Sequence, residues 1–269
     1  MSRLRGAGKW VLAAGWLTGC THWSARSDSY LRPRAAHLID NHRHNNSNRG
    51  SVSVPTGGHK WVDNWDKREP FTDNDNDDRA RPVATRHIIL VRHGQYHESG
   101  PEYTLTALGR SQAQAVGARL KNLDLPYKSI VHSTMTRAVE TAATISQHLP
   151  TVPIESCADI EEGAPIPPEP PFPDWQPSDR EFAEDGPRIE AAFQKHIHRA
   201  DPTQTVDSYE IMVCHGNVIR YFLCRALQLP PDGYLRFDVR HCSVTWLAVH
   251  PNGHVTACMV GDVGLGHKP

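Results

Sequence analysis

Apolar positions recur regularly only after about residue 86, and their period changes from one segment to the next. His87–Arg92 is a short, mostly continuous apolar run, the pattern of a strand buried on both faces. Glu210–Cys214 repeats it, and Ser129–His132 is a third, shorter case. Between these runs the spacing lengthens to that of amphipathic helices. Thr106 can cap a helix running to about Asn122, with Leu108, Val116, Leu120 and Leu123 along one face. A second helix is predicted from about Thr134 to His148, with Met135, Val139, Ala142 and Leu149 facing the core. A proline-rich excursion over 163–177 precedes a helix near 187–199 carried by Ile189, Phe193 and Ile197, and another helix follows over Asn217–Gln228. Val244–His250 and His254–Val260, joined by Pro251-Asn252-Gly253, read as a terminal hairpin. Strands alternating with helices predict an α/β fold, a three-layer sandwich around a mainly parallel sheet with a terminal β-hairpin. In such a sheet, ligands bind beyond the carboxyl ends of the strands.

Residues before 86 lack this periodicity. The first 60 carry nine Arg or Lys against two acids, residues 61–85 carry four against seven, and the remainder 16 against 21, for a net charge of −1 over 269 residues. That balance excludes a strongly basic nucleic-acid binder, and no nucleic-acid partner is expected. An apolar content of 38% is low for a chain folded throughout, so the N-terminal region reads as disordered. No stretch reaches the roughly 20 apolar residues of a membrane span, which excludes a polytopic membrane protein. Arg3, Arg5 and Lys9 precede a charge-free run from Trp10 to Ala25. Sixteen helical residues reach about 24 Å, short of a ~30 Å hydrocarbon core. A mitochondrial targeting segment retained as a short anchor over 1–25 fits best. A secretory signal fits the length, and Leu17-Thr18-Gly19-Cys20 also matches a bacterial lipoprotein cleavage box. Residues 26–85 then form a flexible linker with a Trp-rich segment at 61–70, and 86–269 form the folded domain. Asp73–Asp78 reads as a solvated acidic tract; the alternative, a calcium loop, would need a Gly and a distal Glu that it lacks. The six cysteines contain no CxxC pair, which points to buried thiols in a reducing compartment.

Two of the predicted strands end in histidine. One gives Arg92-His93-Gly94; the other gives Cys214-His215-Gly216 directly before a helix. An ionisable pair at the end of an apolar strand sits where a packed core would not choose it, and the glycine would let a ligand approach the backbone. Between them lie Leu105-Thr106-Ala107-Leu108-Gly109 and Ser133-Thr134-Met135-Thr136-Arg137-Ala138. In this order the set resembles the histidine phosphatase superfamily, also called phosphoglycerate-mutase-like, and it spans essentially all of 86–269. The chemistry follows from the residue types. Arg92 and Arg137 can each offer bidentate donors to the oxygens of a phosphomonoester dianion. His215, at a strand end and a helix N-terminus, adds a donor and backbone N–H groups. With so many donors no metal and no cofactor is called for, and no ligand spacing suggests one. His93, neutral at one ring nitrogen, can attack phosphorus and form a phosphohistidine. One carboxyl group can protonate the leaving alkoxide and later deprotonate the attacking water. The resemblance places that acid immediately before Gly163-Ala164-Pro165, at Glu162, with Glu161 the neighbouring alternative.

Further strings narrow the resemblance: Arg92–Tyr96, Val131–Arg137, Glu162–Ile166, Arg188–Phe193, Asp207–Ile211 and Asn217–Tyr221. They are similar to a branch of mitochondrial serine/threonine protein phosphatases within the phosphoglycerate mutase family. That branch implies hydrolysis of phosphoprotein substrates at a mitochondrial membrane, most readily the outer one, with an apoptosis-signalling MAP-kinase-kinase kinase as a client. Trp61-Val62-Asp63-Asn64-Trp65-Asp66 resembles a segment of that branch, which implies homodimers assembling into higher oligomers through Trp61, Asn64, Trp65 and Asp66; Val62 stands where the family has Asp. The plainer reading of the segment is a tail that staples back onto its own domain by burying two indoles. Two other functions compete: a phosphoglycerate mutase or small-metabolite phosphatase, and a non-catalytic oligomeric scaffold. The mutases carry Ser and Asn shortly after Arg-His-Gly, where this chain has Gln95, Tyr96 and His97.

Overall fold

The apolar run Ile88–Val91 lies in an interior strand of the sheet, with neighbours on both sides. In the computed structural model, which describes residues 60–68, 82–99 and 102–264, this strand is β1, Arg86–Arg92. The chain continues through α1 (Ala107–Asn122), β2 (Tyr127–Ser133), α2 (Thr136–His148), β3 (Ile154–Cys157) and α3 (Asp179–His196). It ends with β4 (Ser208–Cys214), α4 (Gly216–Ala226), β5 (Val244–Val249) and β6 (Val255–Asp262). The sheet order is β3-β2-β4-β1-β5-β6. The first four strands of that order are parallel; β5 and β6 form the antiparallel terminal hairpin predicted from the sequence. The predicted targeting segment, most of the linker and the acidic tract lie outside the described residues. No helix among the described residues is long and apolar enough to cross a membrane.

The alternation of β1 builds two cores at once. Ile88 and Leu90 join a cluster with Ile189, Phe193, Ile219 and Phe222 from α3 and α4. Ile89 and Val91 point the other way, toward Val116 and Leu120 of α1 and Ile145 of α2. Each such side chain, fully removed from water, contributes about 1.5–3 kcal/mol. A strand buried on both faces requires helices on both, which gives the three layers.

Three readings of the helices change. Leu108 and Val139 were expected in the core, yet both are exposed (50% and 38%). The buried stripes there run through Gly109, Ala113 and Gly117 of α1 and Ala138, Thr141 and Ala142 of α2. Small residues let these helices sit close to the sheet and to each other, and a Cβ on Gly117 would lie 2.5 Å from the His148 ring. α3 begins eight residues before the expected start. Ser178 and Glu181 form a capping box, and Pro187, which resembles a first-turn proline, sits inside the helix. The thiols of Cys157, Cys214, Cys224 and Cys242 are buried as expected, but Cys258 is exposed because it lies on the outer face of the edge strand β6.

The Trp-rich segment packs on its own chain. The Trp65 indole N–H donates to the Gly253 carbonyl at 2.7 Å, and its ring lies 5.8 Å from that of Phe193. Trp61 meets His254 edge-on at 5.7 Å. Asp66 accepts from the backbone N–H and guanidinium of Arg199, and the two side chains are only 1% and 3% exposed. Burial pushes the Asp66 carboxyl up, but the Arg199 hydrogen bonds outweigh it and hold the group below its ordinary range. Removing one partner of so buried a pair costs about 3–5 kcal/mol. The segment therefore docks by charge as well as by indole burial. It does so at the hairpin turn and the end of α3, at the opposite end of the sheet from Arg92.

Candidate active site

Parallel register brings the two strand-end histidines together. Arg92 pairs with Cys214, and the His93 N–H donates to the Cys214 carbonyl at 3.0 Å, so the next residues, His93 and His215, face each other at 5.0 Å between ring centroids. Arg137 enters from the first turn of α2, and its Nε–H donates to His93 Nε2 at 3.2 Å. The Arg92 guanidinium donates from one terminal nitrogen to the Val239 carbonyl at 2.7 Å. Four side chains from three separate stretches of sequence thus line one small volume, and His93, Arg137 and His215 are nearly inaccessible to water (1%, 8% and 0%).

The two motif glycines have a packing role. A Cβ on Gly94 would lie 2.6 Å from the Gly109 carbonyl oxygen, and one on Gly109 would run into the Gln95 carbonyl. Gly94 thereby lets the loop after β1 press against the start of α1. Thr106 caps α1 by accepting from the Gly109 N–H at 3.0 Å, and its hydroxyl donates to the Gln95 side chain at 2.9 Å. The Gly94 N–H donates to the Thr141 hydroxyl at 3.0 Å, which in turn donates to the Arg137 carbonyl. The loop carrying His93 is therefore tied to both helices on that face.

Hydrogen bonds set the state of each imidazole. His93 Nδ1–H donates to the Gly94 carbonyl at 2.9 Å, which leaves the lone pair on Nε2. Burial, then the neighbouring His215, Arg92 and Arg137, hold His93 well below its ordinary value, so it is neutral. His215 is depressed in the same way by burial and the charges of Arg137 and Arg92. Its Nε2 lies 2.8 Å from the Ser133 hydroxyl, which also accepts from the Met135 N–H at 3.2 Å. The Ser133 hydrogen is then available for Nε2, which puts the His215 proton on Nδ1, a buried atom without a partner among the described residues. Arg92 Nε is a second buried donor without a partner among the described residues.

Glu162 stands at the N-terminus of α4. Its carboxylate accepts from the Asn217 N–H at 3.2 Å and the Gly163 N–H at 3.3 Å. Burial raises its pKa, and the pull of Arg92, the Gly163 N–H, Arg137 and the Asn217 N–H does not fully reverse this. Glu161 is turned away, its side chain engaged by the Thr134 hydroxyl. Arg188 of α3 holds the loop by donating to the carbonyls of Asp159, Glu161 and Glu162 at 3.1, 2.8 and 3.2 Å, while pairing with Asp185 at 2.6 Å. Ser133 and Arg188 were both visible in the sequence strings, but nothing in a string reveals that one faces an imidazole and the other spans three carbonyls. Tyr96 completes the wall, with the Arg137 guanidinium 4.7 Å above its ring.

The histidine phosphatase superfamily (branch 1) matches residues 88–165 and 167–260. The mitochondrial serine/threonine-protein phosphatases PGAM5 of Mus musculus and Homo sapiens are 49% and 48% identical over 223 residues, covering 76% of this chain and 77% of theirs. Among solved structures, a phosphoglycerate mutase from Plasmodium falciparum aligns with a TM-score of 0.50 and 34% identity over 69% of this chain and 95% of its own.

The neutral imidazoles make acid sensitivity measurable. His93 binds a proton more weakly when folded than when unfolded, so stability is complete above about pH 6.5 and falls as the pH drops through that value. Each such histidine removes up to about 1.4 kcal/mol per pH unit. Denaturant unfolding of His93→Gln between pH 7.5 and 5 should show a shallower acid decline than the wild type. Parallel curves would mean that His93 is protonated in the folded protein.

Proposed function

The chain belongs to the histidine phosphatase superfamily, and on that premise we propose that it hydrolyses phosphoserine and phosphothreonine on proteins through a phosphohistidine at His93. The observation that carries the reading is the His93 Nε2 lone pair, held by the Nδ1–H bond to Gly94 and ringed by Arg92, Arg137 and the free Nδ1 of His215. His93 Nε2 attacks phosphorus as the ester P–O bond breaks, and Glu162 in its acid form protonates the departing alkoxide. Water then attacks the phosphohistidine and gives its proton to the Glu162 carboxylate. The P–N bond breaks, and its electron pair returns to Nε2. The two guanidiniums stabilise the charge on the equatorial oxygens in both steps. The raised pKa of Glu162 suits a group that must be an acid in the first step and a base in the second.

Serine/threonine specificity is supported by the names of the relatives at 48–49% identity, and their description as mitochondrial supports the same compartment here. The finer proposal is an N-terminally anchored enzyme at the outer mitochondrial membrane. A mutase reading has its own support in the Plasmodium falciparum structure. Turnover of phosphopeptides against 2- and 3-phosphoglycerate separates the two. Self-assembly through Trp61, Asn64, Trp65 and Asp66 is likewise a proposal. Trp65 and Asp66 dock the segment on its own domain, and two buried atoms that find no partner among the described residues, Trp61 Nε1 and Asn64 Oδ1, support a contact with a second copy.

Brief reaction with labelled phosphopeptide followed by alkaline quenching should trap label on His93; label elsewhere, or none in an active preparation, would overturn the mechanism. Glu162→Ala should slow an alkyl phosphate by a hundredfold or more while sparing p-nitrophenyl phosphate, whose leaving group needs little protonation. Equal losses would assign Glu162 a structural role. Trp65→Ala should reduce the particle mass in light scattering, and an unchanged mass would rule out docking between copies.

A further inference from the structure

One imidazole in the pocket has no role in the scheme above. His241 lies in the turn leading into β5, where neither periodicity nor motif marks it. Its backbone is stitched to the end of β1. The Cys242 N–H donates to the carbonyls of Arg92 (3.0 Å) and His93 (3.2 Å), and the Arg92 N–H donates to the Ser243 carbonyl (3.2 Å). Cys242 adopts φ = +53°, a left-handed conformation that costs a residue with a Cβ about 1 kcal/mol. Strain of this kind persists only where the surroundings over-determine it. Here its effect is to place the His241 ring beside the nucleophile, 5.4 Å from His93 and 6.2 Å from Tyr96 between centroids.

The His241 Nε2 atom is buried and has no hydrogen-bond partner among the described residues. Of the seven such side-chain atoms among the described residues, three belong to this pocket: Arg92 Nε, His215 Nδ1 and His241 Nε2. Buried polar atoms are rarely left unpaired, and three around one nucleophile call for a ligand with several acceptor oxygens. We propose that His241 is a phosphoryl-binding residue, its Nε2–H donating to a non-bridging oxygen of the group attacked by His93. The inference rests on the phosphatase reading of the pocket and adds a donor from a fourth segment of chain. Glu162, bonded to the start of α4, is left to serve the leaving oxygen. Burial, with the charges of Arg92 and Arg137, holds His241 down to about 4, so it acts as a neutral donor, as an amide would. A glutamine, with an N–H at comparable reach, should therefore substitute for it, and a methionine of similar size should not.

The test compares His241→Gln and His241→Met with the wild type in two measurements: calorimetric binding of inorganic phosphate to the full chain, and its competitive inhibition of p-nitrophenyl phosphate hydrolysis. One hydrogen bond to an anion corresponds to roughly a tenfold change. His241→Met should weaken phosphate binding and raise KM by about that factor, and His241→Gln should stay within about threefold of the wild type. Unchanged phosphate affinity in His241→Met would overturn the inference. So would equal losses in both variants, which would assign the ring a packing role. Because the calorimetry requires no turnover, a wild type that binds phosphate without hydrolysing esters would sink the phosphatase reading while still deciding the role of His241.

Discussion

Positive charge gathered at the ends of the central strands without a close salt bridge is the condition on which this molecule is organised. Arg92 and Arg137 sit in a pocket whose floor is two neutral imidazoles, and neither guanidinium pairs with a carboxylate within 4 Å among the described residues. Such an arrangement is costly in a folded protein unless an anion regularly completes it. The rest of the fold can be understood as what keeps the donors apart from one another and from water. The doubly buried strands β1 and β4 deliver Arg92, His93 and His215 on rigid backbone. α2 brings Arg137 from one side, and the turn at Cys242 brings His241 from the other.

Rigidity comes from contacts that are close rather than numerous. Gly94 against Gly109 is backbone on backbone, and it fixes the angle at which the nucleophile loop leaves the sheet. Arg188 gathers three carbonyls of the loop that carries Glu162. α3, which bears Arg188 near its middle, ends where Trp65 and Asp66 dock, so one helix touches both the acid loop and the N-terminal segment.

Much of this was legible before any coordinates. Buried parallel strands announce themselves as apolar runs, and a histidine at the end of such a run is conspicuous, which is why the sequence places Arg92, His93 and His215 at the carboxyl ends of the strands. The helix faces were less legible. Where α1 and α2 approach closely, alanine and glycine carry the buried stripe, and bulkier neighbours such as Leu108 and Val139 point outward. α3 is longer than its apolar spacing indicates, because its Ser178–Glu181 capping box follows a stretch dominated by prolines and Pro187 sits inside the helix. His241 was illegible for a deeper reason: its position depends on a left-handed turn at a cysteine and on hydrogen bonds to a strand 149 residues earlier in the chain.

The contact between Arg137 Nε and His93 Nε2 has a consequence for selectivity. The nucleophile's lone pair faces the very cation that, in the proposed scheme, grips the phosphoryl group. A visitor must draw the guanidinium away before attack can begin, and only a group with charge to spare on its terminal oxygens offers a better partner than the imidazole. A phosphomonoester dianion does so. In the proposed scheme a diester, with one charge and two carbon-bearing oxygens, would compete less well for the guanidinium, and selection by charge would come before any bond is strained.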